Sequence, residues 1–325
     1  MKFCVLFSIA MAVGLLSQAG GVAAQQPIAI ATPPSGSIYN SSAAAIGKVL
    51  ADKAGLRMTL QAMGGSSQYL PIVNAGEVPL GIANVYETSL AVKGEDYFKG
   101  RPNKDLRVVA ILYPLRNTIF VKKDSDIKKL ADLKGKRGPT GFTSQRILTS
   151  VTNAALAPGG ITLDDVKGVN VANIISNVNA FKEGRTDFFV FALGGAPIRE
   201  ADAAVGGVRA LTAENTPAVV AAVKKQVPVA YLRLEKPSPA NTGLLEQGYL
   251  VSYGVNLLAS TKTPDDVVYK VVKAMHDNAA DLGKVFPPLR MLDTKAMAQA
   301  VDGAEYHPGA AKYYKEVGQW PPKQM

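Results

Sequence analysis

The sequence predicts two α/β lobes that face each other across a ligand cleft. Three observations carry this. Short apolar strands alternate with stretches of helical periodicity. Loops of small residues join the strands to the helices. The order strand, small loop, helix, followed by helix, glycine, strand, occurs twice along the chain.

The first unit opens with a strand at 27–31 and the loop Thr32-Pro33-Pro34-Ser35-Gly36-Ser37. Ile38, Ala45, Ile46, Val49 and Leu50 then share one helical face, and Gly55 stops the helix. A strand at 57–61 leads into Met63-Gly64-Gly65-Ser66-Ser67 and a helix carrying Leu70, Ile72 and Val73. After Asn74-Ala75-Gly76 comes a strand at 80–83 that runs into Asn84 and Tyr86.

The second unit passes through Gly138-Pro139-Thr140-Gly141-Phe142-Thr143-Ser144-Gln145 into a helix with Ile147, Leu148, Val151 and Ala155 on one face. A later helix ends at Glu183-Gly184, and the strand at 188–191 runs into Gly194-Gly195. Identity between the halves is low, so the likeness is one of architecture. Such alternation predicts two mixed, mostly parallel sheets flanked by helices. Ligands in open parallel sheets sit beyond the carboxyl ends of the strands, where these loops lie. The tail adds a strand at 249–258 and a helix start at Thr263-Pro264-Asp265-Asp266, with Thr263 as cap and Pro264 in the first turn.

Lys2 followed by the apolar run 3–16 and by Val22-Ala23-Ala24 has the layout of a cleaved signal peptide over residues 1–24. The run is shorter than the roughly 18–20 residues that span a membrane. Cys4 is the only cysteine, so the mature chain would carry no disulfide, zinc thiolate or cysteine nucleophile. Export to the periplasm suits a cysteine-free chain. The formal charge is +10, but Lys and Arg are scattered and the densest stretch, 128–137, has no interleaved aromatics, which argues against nucleic acid. The two histidines, His276 and His307, have no triad or metal-ligand context, and no cofactor, metal or catalytic residue is expected. Asp164-Asp165 and Asp265-Asp266 fit helix first turns better than a catalytic dyad.

In their order and spacing the motifs resemble the TAXI branch of TRAP-transporter solute receptors. The residues that carry the resemblance are the loop 32–39, Gly64-Gly65-Ser66, the stretch 74–82, Leu112-Tyr113-Pro114, the segment 132–137, the stretch 184–190, and His307-Pro308-Gly309-Ala310 with Tyr313-Tyr314-Lys315-Glu316. The resemblance implies a two-lobed periplasmic binding-protein fold of type II. One lobe comprises 25–115 and 249–325, the other 116–248. It also implies a monomer that delivers an amino acid such as glutamate, or a di- or oxo-carboxylate, to a TRAP membrane permease. The second-lobe loop departs from the family's compact glycine pattern at Phe142 and Gln145, and the crossover carries Arg116-Asn117. These changes are expected to face the ligand. A sensory module for a membrane partner, or less readily an enzyme, are the other readings of the same lobes.

An organic anion suits loops that end in helix first turns, where free N–H groups and a partial positive charge await it. The hydroxyls of Thr32, Ser35, Ser37, Ser66, Thr143 and Ser144 are helix caps or ligand contacts, and Gly36 and Gly65 permit close approach. Asn84, Tyr86, Phe191 and Gly194 stand at strand carboxyl ends. Tyr39 and Tyr113 offer a ring and a hydroxyl, and Gln145 an amide. Arg116 is expected to be the main cationic contact, with Arg146 in reserve.

Overall fold

The computed structural model describes residues 27–324. The signal-peptide reading, with Cys4, lies outside the described residues. In chain order the strands and helices are β1 (Ile28–Thr32), α1 (Ile38–Ala54), β2 (Met58–Ala62), α2 (Ser66–Asn74), β3 (Leu80–Asn84), α3 (Val85–Lys93) and β4 (Leu106–Lys122). Then come β5 (Arg137–Gly141), α4 (Ile147–Leu156), β6 (Lys167–Val171), α5 (Ile174–Lys182), β7 (Phe188–Ala192), α6 (Ala196–Val205), β8 (Val208–Leu211), α7 (Pro217–Gln226) and β9 (Tyr231–Glu235). The chain finishes with β10 (Gly248–Ser260), α8 (Asp265–Asp277), α9 (Ala279–Val285) and α10 (Pro308–Glu316).

The expected pattern of strands and helices forms, and the fold is the two-lobed α/β binding-protein class. β1 pairs in parallel with β2 and β3, and β5 with β6. Of the two mixed, mostly parallel sheets expected, the larger is indeed mixed. β4 and β10 are long enough to serve both lobes. β4 pairs antiparallel with β10 along its first part and with β7 and β8 along its last part. β10 pairs antiparallel with β9 at its start and β3 at its end. The central sheet is therefore continuous, in the order β2-β1-β3-β10-β4-β7, and only β5-β6 stand apart.

Local chemistry explains the boundaries. α1 starts at the Ser37 cap, whose hydroxyl accepts the Asn40 N–H, and it stops at Gly55, which takes the left-handed φ of 66°. α8 begins one residue later than the sequence suggests. Pro264 is its cap, and the Thr263 hydroxyl, expected to cap it, instead donates to the Pro79 carbonyl. Asp265 and Asp266 do lie in its first turn. Asp165 closes a capping box with Thr162. His307 is fully buried; its Nδ1 accepts the Gly309 N–H and its Nε2 lies 3.0 Å from the Thr263 carbonyl oxygen, so it caps α10.

β3 and β7 are buried along their whole length, as strands covered on both faces must be. Phe189 stacks on Phe120 (5.1 Å between centroids) and tilts against Phe181 (4.8 Å), giving the second lobe an aromatic core of its own. Among the described residues no helix is long and apolar enough to cross a membrane.

Candidate functional site

A cavity of about 40 Å³ lies between the lobes at the start of several helices. From the first lobe it is lined by Ser37, Ile38 and Tyr39 at the head of α1 and by Asn84, the cap of α3. Gln145, Ile147 and Leu148 at the head of α4, and Ile174, the first residue of α5, line the opposite wall. β7 adds Phe191, and the strands shared by the lobes add Leu115, Asn117 and Tyr253. Four helix N-termini thus converge on one small space, and their dipoles make it favourable for negative charge.

Its polar groups are half used. Asn84 Oδ1 accepts the Glu87 N–H at 2.8 Å, which leaves the amide NH₂ of Asn84 without a protein partner among the described residues. Gln145 Oε1 accepts the Ile174 N–H at 3.1 Å, and its NH₂ is likewise unspent. Asn117 donates to the Val151 carbonyl at 3.3 Å, and its own side-chain oxygen has no hydrogen-bond partner among the described residues. Tyr39 and Tyr253 are almost wholly buried, and no protein group among the described residues bonds either hydroxyl. Burial first, followed by Tyr253, Tyr113 and Glu87 at Tyr39 and by Glu87 at Tyr253, pushes both hydroxyls well above the usual tyrosine range. They therefore stay protonated and available as donors. The cavity lining includes no Lys or Arg.

Arg116, expected to offer its fork to a ligand, stands outside this lining. Successive residues of a strand point to opposite faces. Leu115 and Asn117 face the cavity, so Arg116 faces away. Its Nη1 donates to Glu235 Oε2 at 2.9 Å and to Asn241 Oδ1 at 3.3 Å, and its Nη2 donates to the Leu193 carbonyl at 3.2 Å. Arg116 and Gly194 line a separate hollow of about 180 Å³. Arg146, the reserve candidate, is exposed, and its guanidinium carbon lies 5.4 Å from the centre of the Tyr97 ring.

Of the other residues singled out from sequence, Ser37, Tyr39, Asn84, Gln145 and Phe191 are brought together around the cavity. Thr32 is buried beneath it and accepts a hydrogen bond from Asn40 at 2.8 Å. Tyr113 is turned into the core, where its hydroxyl meets that of Ser42 at 2.6 Å. Ser35 and Thr143 are exposed, and Tyr86 lies outside the lining. Gly65 and Ser144 sit where the lobes touch, and so does Gly36, where a Cβ would lie 3.5 Å from Ile175 and 3.8 Å from Pro197. Phe142, expected to face the ligand, is not part of the cavity lining. It is fully buried in the core with a left-handed φ of 39°, whereas Gln145 from the same loop does reach the cavity.

Sequence reasoning placed Asn117 toward the ligand but missed Tyr253 and Leu115, the latter within reach of strand alternation from Arg116. It also missed Glu87. This carboxylate is fully buried in the first turn of α3, where Oε2 accepts the Ser66 hydroxyl at 2.5 Å and Oε1 the Tyr97 hydroxyl at 2.8 Å. Burial raises its pKa to about 7, against the opposing pull of those two hydrogen bonds. Among the described residues no group of three or more His, Cys, Asp or Glu side chains could hold a metal ion.

Residues 30–318 match the model of the NMT1-like family. Among solved structures, one described as a periplasmic transporter is 18% identical, covers 90% of this chain and 92% of its own, and superposes with a TM-score of 0.56. MatC from Rhodopseudomonas palustris, solved with bound malate, is 17% identical over 90% of this chain and 97% of its own, with a TM-score of 0.55. A protein from Bordetella bronchiseptica RB50 is 16% identical over 90% and 98%, with a TM-score of 0.53. At these identities the likeness is one of fold.

Proposed function

Since the chain belongs to the NMT1-like family, we propose that it is an exported solute-binding receptor that holds a small organic anion between its lobes and carries out no chemistry on it. The observation that carries this reading is the convergence of four helix N-termini on a cavity whose buried tyrosine hydroxyls, Tyr39 and Tyr253, have no protein partner among the described residues. The helix ends and neutral donors, not an arginine, supply the anion's partners. Asn84 and Gln145 offer further N–H groups, and Ile147, Leu148, Val151 and Phe191 cover an apolar stem. The cavity of about 40 Å³ is far below the roughly 300–1,000 Å³ of ordinary ligand sites. Solute capture therefore requires the lobes to part and to reclose around a larger volume.

The hinge of this motion is the pair β4 and β10, the strands common to both lobes. Residues 25–115 and 249–325 would move as one body and 116–248 as the other. In this reading the chain is the periplasmic receptor of a TRAP-type permease of the TAXI branch, which recognises the closed receptor and takes up its solute. The sequence motifs from Gly64-Gly65-Ser66 to His307-Pro308-Gly309-Ala310 support that branch.

A thermal-shift screen with glutamate, malate, oxo-acids and aliphatic monocarboxylates tests the ligand class. A solute at 100 times its dissociation constant adds about 2.7 kcal/mol of stability. Shifts with anions and none with uncharged analogues are expected. Hits confined to neutral solutes would remove the anion from the reading.

A further inference from the structure

The lobes meet directly beside the cavity, and the residues that meet are built for it. The Ser144 hydroxyl of the second lobe donates to the Ala172 carbonyl of its own lobe at 2.9 Å and lies 3.3 Å from the Gly64 carbonyl oxygen across the gap. The Arg146 backbone N–H donates to the Ser67 hydroxyl at 2.9 Å, and that hydroxyl lies 3.4 Å from the Ser144 carbonyl oxygen. The Arg146 guanidinium lies over the Tyr97 ring, 5.4 Å from its centre. Gly65 fits only because it has no side chain. A Cβ there would come within 2.3 Å of the Ser144 carbonyl oxygen and 2.5 Å of Gln145 Cβ. Its own backbone makes no such demand, since φ is 173°, extended geometry open to any residue. The requirement for glycine therefore comes from the other lobe. One buried group anchors the first-lobe side. Glu87 accepts from Ser66, next to the Ser67 contact, and from Tyr97, under the Arg146 contact.

We propose that the Gly64–Ser67 loop and Tyr97 of the first lobe, and Ser144 and Arg146 of the second, form a clasp that closes the lobes on each other with no solute between them. Gly65 permits the closure, and Glu87 is a positioning residue that holds both first-lobe arms in place. With these contacts made, the space left between the lobes is only about 40 Å³, far below the roughly 300–1,000 Å³ of ordinary ligand sites. A solute must first break the clasp, and the fraction of open chain scales its apparent affinity.

The test uses the full chain in a Cys4→Ser background, with spin labels at Lys99→Cys and Thr149→Cys. Both sites are exposed, one beside Tyr97 and the other on α4. Electron–electron distances are measured without solute. The parent is expected to give one short, narrow distribution. Gly65→Ala, which strains neither lobe alone, is expected to shift it to longer and broader distances, and Ser67→Ala with Arg146→Ala is expected to do the same. A long, broad distribution in the solute-free parent overturns the proposal. So does a short one that persists in Gly65→Ala. If Gly65→Ala does not fold, the Ser67→Ala/Arg146→Ala chain decides, and an unchanged short distance there sinks the clasp. Because no solute is present, failure here leaves the anion reading standing, and failure of the ligand screen leaves the clasp standing.

Discussion

Arg116 and Asn117 are neighbours in β4 and serve opposite faces of it: Asn117 lines the interlobe cavity, while Arg116 turns away and pairs with Glu235 at 2.9 Å. Each side chain of that pair is only 10% exposed. Glu235 is also held by Arg233 at 2.9 Å. The arrangement ties the middle of β4 to β9 and to the Leu193 carbonyl just beyond β7.

Arg116→Ala should therefore destabilise the fold and leave anion affinity nearly unchanged. Removing one member of a buried ion pair strands the other, at a cost of about 3–5 kcal/mol. The nearby Arg233, 43% exposed at its side chain, would soften this by keeping one partner on Glu235. Chemical denaturation reads the first effect and calorimetry with the best ligand of the screen reads the second. A large loss of affinity in a chain of parental stability would return Arg116 to the site.

Tyr253→Phe and Tyr39→Phe should show the opposite split. Each removes one hydroxyl that has no protein partner among the described residues and keeps the ring, which is 2% exposed in Tyr253 and 6% in Tyr39. Unfolding midpoints should stay near the parent. Affinity for the anion should fall by about 0.5–1.5 kcal/mol per hydroxyl, the ordinary net worth of a hydrogen bond, or up to about 3 kcal/mol where the acceptor is charged. Affinity equal to the parent in both variants would take the tyrosines out of the ligand's reach.

Phe142→Ala tests whether this loop is built around its aromatic ring. Phe142 is fully exposed to the core and not at all to solvent, in a backbone conformation that non-glycine residues seldom adopt. Truncating a buried Phe costs about 3–5 kcal/mol. The loss should appear in stability, with a secondary loss of binding because Gln145 is anchored in the same loop. Urea unfolding checks it, and a cost below about 1 kcal/mol would mean that the ring does not hold the loop.

The strands and helices were legible because hydrophobic periodicity and glycine stops report local structure, as at Gly55 and Gly184, both in left-handed conformations. The lobes followed from their order. The cavity was half legible. Ser37, Asn84 and Gln145 stand at helix starts, which sequence marks, and all three reach it. Arg116 lies outside the cavity lining because strand parity turns it to the other face, which charge type alone does not report. Gly65 and Ser144 carry small-residue chemistry that a ligand loop and a lobe contact share, and only the approach of the second lobe separates the two. Glu87 gave no signal because an acid in a helix first turn, behind an Asn cap, is ordinary in sequence. Its burial depends on α2, the turn at Asp96–Phe98 and β10 closing around it.

Glu87 should make the stability of the whole chain depend on pH. The groups facing it are Ser66, Tyr97, Tyr69, Tyr39 and Tyr253, with no cation among them. Its pKa rises from an ordinary 4.5 to about 7 on folding, so the folded chain keeps a proton that the unfolded chain has released. Stability from this group is full below about 4.5, falls as pH rises through about 7, and is level above that. The whole change is roughly 3 kcal/mol at most, at about 1.4 kcal/mol per unit. Glu87→Gln keeps the shape and one acceptor oxygen but cannot ionise. It should flatten the slope between pH 5 and 8, roughly the window in which this carboxyl titrates. At the alkaline end it should match or exceed the parent in stability. Denaturant midpoints across that range are the measurement. Parallel pH profiles for the two chains would show that the carboxyl is already ionised in the folded state at pH 5, with Ser66 and Tyr97 outweighing its burial.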